Sequence, residues 1–169
     1  LCWFICTVAV QRYRKKVKPV SMLIHTDNKT AEHTIMNKIV TNWLIENQKN
    51  LFDRCKNIYI KQTKMFTKEK FFKIMKDYNA DGKHEVLDYP NFEEIENELS
   101  IILNNKVSHI GISEEGNLEY HKGIHVVVDN SNNKKGIDEN GDFIRLAYPK
   151  ESEFASAMVV IGGNTLARG

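Results

Sequence analysis

The sequence predicts an α/β domain, a mostly parallel sheet flanked by helices with an inserted helical segment. Three observations lead there. The runs "VSMLIHT" (20–26), "IHVVVDNS" (124–131) and "SAMVVIG" (156–162) are short, apolar and β-branched, as buried strands are. Apolar residues recur at helical spacing between the first run and the others. The order strand, helix, inserted helices, then strands is that of an α/β layer fold. With 169 residues and 41% apolar composition, the chain suits a single domain over 1–169 with one core.

Residues 1 to about 16 read as a helix, apolar first and basic at its end, which complements the helix dipole. Its uncharged start reaches only to Arg12. That is short of the ~20 residues of a membrane span, so no membrane is expected. Pro19 separates this helix from the strand at Val20–Thr26. Asp27 and Thr30 then offer caps for a helix. In it Ile35, Met36, Ile39, Val40, Trp43 and Leu44 form an apolar face that packs on something.

From about 50 to 105 the chain turns rich in Lys and Glu, with apolar residues still at helical spacing. Leu51, Phe52, Cys55 and Ile58 mark one helix. Phe71, Phe72 and Met75 mark a second, and Ile95, Leu99, Ile102 and Leu103 a third. Asn91 and Glu94 make a capping box for the last. The three helices read as an insertion or lid. After Lys106, "VSHIGIS", "IHVVVDNS", "FIRLAY" and "SAMVVIG" read as strands, separated by turn signals such as "EEGN" and "DENGD". No helix separates some of them, so at least one pair is expected to be a hairpin.

Charge and cysteine usage bound the function. The net charge is +2, so any face for nucleic acid must be local. Cys2, Cys6 and Cys55 are odd in number and form no CxxC pair, which fits a reducing cytoplasm and buried thiols. The chain starts on Leu1 and stops on Gly169 in mid-motif, which points to a fragment of a longer protein.

That motif, "MVVIGGNTLARG" at 158–169, is the leading candidate site. Ligands of open α/β sheets bind at the carboxyl ends of the strands. Gly162 and Gly163 let the backbone turn tightly and let a ligand approach the main chain. Asn164 both donates and accepts hydrogen bonds, and Arg168 is a forked donor for phosphate. His25 and Thr26 end the early strand and share this edge if the two strands are neighbours. The residues alone also allow a plain Gly-Gly turn with Arg168 as a surface charge.

"VVIGGNTLARG" resembles the signature of the Z-one domain family, found beside helicase-type ATPase domains and often labelled an endonuclease. "VSMLIHTDNKTAEH" is similar to the family's first strand, and "VVVDNS" to its middle strand. The likeness touches both ends and the middle, and is weakest over 50–105. It implies a partial lobe like the second RecA-like lobe of superfamily-two helicases, a P-loop NTPase fold. Val20–Thr26 would then be the fourth helicase motif and Val160–Gly169 the fifth. By that likeness Gly162, Gly163, Asn164, Arg168 and Gly169 face phosphate or nucleotide. Gly163 stands where helicases often have a phosphate-binding Thr, so a side-chain contact becomes a backbone one. The Leu-Thr-Leu-Glu-Gly segment that follows in the family would lie beyond Gly169. The implied setting is a DNA-acting hydrolase of a bacterial restriction or defence system.

No GxxxxGK[ST] stretch is present, so the chain has no P-loop. ATP and magnesium would be held only in the full-length parent, by a missing upstream ATPase lobe. The fragment is not expected to be catalytic alone, and no catalytic residue is assigned. Asp129, Asp138, Glu139 and Asp142 show no nuclease spacing and read as solvated loop charges.

"DYNADGKHEVLD", 77–88, nearly spells a calcium-binding EF-hand loop. Asp77, Asn79 and Asp81 take the first ligand positions, Lys83 would offer its carbonyl, Glu85 is the ninth position and Asp88 the twelfth. Asp88 replaces the usual bidentate Glu, His84 replaces an apolar residue, and no second loop pairs with it. The same residues also read as a polar loop after a helix.

His33, His109, His121 and His125 show no joint ligand spacing, and His121-x3-His125 lacks a metalloprotease glutamate. Arg12, Arg14, Lys15, Lys16 and Lys18, or Lys61, Lys64, Lys68, Lys70, Lys73 and Lys76, could neutralise phosphates. Both runs equally read as solvated faces. Trp3 and Trp43 read as core. The alternative to the helicase-like reading is a non-catalytic module for protein interaction or nucleic-acid binding.

Overall fold

The computed structural model describes residues 1–26, 29–78, 85–129 and 146–163. Five helices and six strands follow in the order α1 (Cys2–Tyr13), β1 (Val20–His25), α2 (Thr30–Glu46), α3 (Gln48–Met65), α4 (Lys68–Ile74), α5 (Phe92–Leu103), β2 (Val107–Ser108), β3 (Gly111–Ile112), β4 (Leu118–Glu119), β5 (Ile124–Asp129) and β6 (Ala157–Gly162). The main sheet has the order β1-β6-β5-β2, and every pair in it is parallel. The α/β class with a parallel sheet is therefore the fold.

All six residues of β5 and all six of β6 are buried. Parallel strands covered on both faces are expected to be apolar throughout, which is why "HVVVD" and "MVVIG" do not alternate. Val20, Met22, Ile24, Ile124, Val126, Ala157, Val159 and Ile161 join the main core on one face. α1 and α2 lie against that face, and α3 and α5 pack behind them. On the other face Val127 meets Ile110, Ile112, Tyr120 and Leu146. The expected hairpin is β3–β4, antiparallel, with Gly116 at φ 81° supplying the left-handed turn residue in "EEGN".

The segment 50–105 forms its three helices, and two of them belong to the core. Leu51, Cys55 and Tyr59 of α3, and Ile95, Leu99, Ile102 and Leu103 of α5, share one apolar cluster with α1. α4 alone among the described helices buries no residue. The α5 capping box forms as its sequence predicts: the Asn91 amide donates to Glu94 Oε2 at 2.7 Å.

Several expectations are corrected. Thr30 is not a cap but the first residue of α2; Lys29 takes the cap position without a side-chain bond. The buried face of α2 is His33, Asn37, Val40 and Leu44, one step round from the expected stripe, and Ile35 and Ile39 are exposed. Of "FIRLAY", only 146–148 are described, and they form no strand. Arg12 is not part of a solvated basic face, being 4% exposed.

Gly123 precedes β5, where its neighbour's amide, Ile124 N, donates to the Lys106 carbonyl at 3.1 Å. A β-carbon on Gly123 would overlap that same carbonyl oxygen. Gly123→Ala should therefore separate β2 from β5 and lower the unfolding midpoint in urea. Leu99→Ala, at a fully buried site, should cost about 2–5 kcal/mol of unfolding free energy by the same measurement.

Candidate functional site

The three long strands end in step. His25 of β1 is in register with Gly162 of β6, and Gly162 with Asp129 of β5. In-register residues of parallel strands point to the same face. The row His25–Gly162–Asp129 thus puts an imidazole and a carboxylate on either side of a position with no side chain. Strands lie about 4.8 Å apart, so the two flanking α-carbons stand roughly 10 Å apart across this notch. The Thr26 amide donates to the Gly162 carbonyl at 2.9 Å and extends the ladder one residue beyond β1.

Exposure differs along the row. His25 is exposed and Thr26 half-buried, because β1 is the edge strand. Gly162 and Gly163 are buried, and Asp129 is 8% exposed. The glycines are thus enclosed, beside the exposed end of the edge strand. Asp129 is a correction: it is the last residue of a buried strand and not a solvated loop charge. It follows an unbroken apolar run as His25 does, and that shared position was the available signal. Asn164, Arg168 and Gly169 lie outside the described residues, as do Asp138, Glu139 and Asp142.

Comparison with protein families matches the Z1 domain over residues 1–169. The chain belongs to the Z1 domain family. No curated protein matches it, and no solved structure does.

The opposite, amino edge of the Z1 sheet holds a second polar cluster. Arg12, at the end of α1, donates from Nε to the Ala155 carbonyl at 2.9 Å and from Nη1 to the Lys122 carbonyl at 2.8 Å. Its guanidinium lies 5.0 Å from the centre of the Phe154 ring. Burial lowers the Arg12 pKa to about 10, far above neutral pH, so the group stays charged. His121 and His125 stack with ring centres 3.9 Å apart. The His121 amide donates to His125 Nε2 at 3.2 Å, which fixes that nitrogen as an acceptor and the ring as neutral. His125 Nδ1 then donates to the Ala157 carbonyl at 3.2 Å. The pair thus belongs to the start of β5, where it seals the sheet edge.

The remaining candidates are scattered. Asp77, Glu85 and Asp88 are exposed, and Asn79, Asp81 and Lys83 lie outside the described residues. Residues 85–90 carry no helix, and the Asp88 carbonyl accepts from Arg14 Nη2 at 2.7 Å. Among the described residues no group of three acidic, His or Cys side chains could hold a metal ion. Cys6 Sγ donates to the Cys55 carbonyl; the Cys2 hydrogen bond lowers the Cys55 thiol pKa, but the Cys6 thiol and burial outweigh it and push it up to about 12, so it stays protonated. No described helix is long and apolar enough to cross a membrane. Trp3 packs against the core and against Tyr59 and Tyr89.

Burial first, then the neighbouring His125 ring and the cations Lys106 and Arg12, lower the pKa of His121 to about 3; burial, opposed by the Ala157 carbonyl and aided by the same cations, lowers that of His125 to about 4. In the unfolded chain both return to about 6.5. Between these values the unfolded state binds more protons, so stability rises with pH. It should fall as pH drops from about 6.5 towards 4. Urea unfolding of a His125→Gln variant should show a shallower decline over that window than the parent.

Proposed function

We propose that this Z1 domain is the nucleic-acid-facing lobe of a larger helicase-like ATPase, acting on DNA in a restriction or defence setting. The observation that carries the reading is the His25–Gly162–Asp129 row. It brings the paired glycines to the same rim as the end of the early strand, which is where open α/β sheets bind phosphate ligands. Membership of the Z1 family supports the same assignment. In this reading the backbone amides at Gly162–Gly163 and the side chains of Asn164 and Arg168 contact phosphate. His25 and Thr26 border the site, and Gly169 belongs to the same phosphate-binding stretch.

The chain's own role is binding and orientation. Having no P-loop, it relies on an upstream lobe of the same parent for ATP and magnesium. A Gly163 backbone contact in place of a hydroxyl makes the phosphate grip weaker. A non-catalytic interaction module is therefore the competing reading.

An electrophoretic shift of duplex DNA by the full-length protein separates the two. Binding should weaken steeply with added salt. Arg168→Ala should weaken it about tenfold and lower the salt slope by about 1, and His25→Ala should act in the same direction. Undiminished binding by both variants, or no binding even in low salt, would favour the interaction module.

A further inference from the structure

A large groove lies away from the glycine rim, between the end of α3, α4 and the extended segment before α5. Its volume is about 1030 Å³. That is at the top of the range for small-molecule pockets. Met65, Phe66, Met75 and Leu87 line it and are each about half exposed, and Ile74 is 80% exposed. α4 stays helical through local means, with Thr67 Oγ1 accepting from the Lys70 amide at 3.4 Å. Its apolar residues cover nothing in the core.

Charge completes the picture. Lys64, Lys68, Lys70 and Lys73 line the same groove, against Asp88 and Glu93. Among the described residues none of the four lysines is in an ion pair; the single such pair is Lys29–Glu32. The overall chain is close to neutral, so this concentration of cations is local.

We infer that the groove docks an acidic amphipathic helix of a partner protein. Its apolar side chains at i, i+4 and i+7 seat on Ile74, Met65 and Leu87, and its carboxylates meet the lysines. Helix-in-groove recognition uses this arrangement of an apolar floor and a charged rim. Exposed methionines suit it, since their flexible thioethers adapt to the helix they meet. Single-stranded nucleic acid would also meet lysines, but it needs free aromatic faces for stacking. Here Phe71 packs with Phe72 and Tyr78, and Tyr89 with Trp3 and Tyr59, so that among the described lining rings Phe66 alone, 57% exposed, lacks a ring contact. The aliphatic surface therefore favours a peptide. This inference is independent of the glycine rim.

Fluorescence anisotropy on the intact protein tests it. The probe is a labelled 18-residue helical peptide with Leu at i, i+4 and i+7 and Glu on its other face. Saturable binding is expected, weakened at least tenfold by Ile74→Asp and by the double change Lys68→Glu, Lys73→Glu. Both sites are on the surface, and unchanged circular dichroism confirms folding. The Lys68→Glu, Lys73→Glu protein should instead take up the same peptide with Lys replacing Glu. Equal binding of the Glu and Lys peptides overturns the inference, as does absence of peptide binding. Preferential binding of an oligothymidylate of similar length would assign the groove to nucleic acid. Sedimentation showing a dimer that Ile74→Asp dissociates would assign it to a second copy of this chain.

Discussion

The parallel ladder that holds β6 between β1 and β5 is the constraint on which the rest of the chain depends. Each of its residues, from Ala157 to Gly162, is paired in step on both sides. A slip of one residue would turn every side chain of a strand to the opposite face. Val159 and Ile161 would then leave the main core, and Gly162 would no longer lie between His25 and Asp129. Core packing and the candidate site are thus specified by the same register.

The two edges of that sheet have opposite characters. At the amino edge the chain is tied down. Arg12 joins the end of α1 to the carbonyls of Ala155 and Lys122, which lead into β6 and β5. Hydrogen bonds to a charged group are worth roughly 1.5–3 kcal/mol. Two such bonds offset much of the cost of burying the guanidinium. The neutral His121–His125 stack fills the same edge without adding charge beside it. At the carboxyl edge β1 leaves His25 exposed, while the glycines and Asp129 remain enclosed. A chain fixed at one end of its strands can present fixed polar groups at the other.

The helical segment divides along similar lines. α3 and α5 supply Tyr59, Ile95 and Leu99 to the core, and the Tyr59 hydroxyl donates to the Pro90 carbonyl at 2.8 Å. That bond anchors the extended segment that becomes one wall of the groove. α4, by contrast, is held by its cap and its aromatic neighbours, and its apolar residues remain at the surface. The rigid wall and the exposed short helix together make the groove.

The sequence by itself determined the fold class and most of the elements. Short apolar runs rich in β-branched residues and bounded by turn signals fit strands buried on both faces, which pointed to β5, β6 and the parallel sheet. Local chemistry likewise specified the Asn91–Glu94 box, since its partners lie within one turn. Partnership across the sheet was beyond its reach. That His25, Gly162 and Asp129 form one row depends on strand order and register, which arise from long-range packing. Asp129 looked like a loop charge because a single carboxylate after a strand carries no mark of its neighbours. Arg12 looked like part of a solvated run because its carbonyl partners are more than a hundred residues away. Which face of α2 is buried was decided in the same way. His33 and Asn37 are covered while Ile35 and Ile39 are not, because the sheet sets the helix rotation through the contacts of Val40 and Leu44.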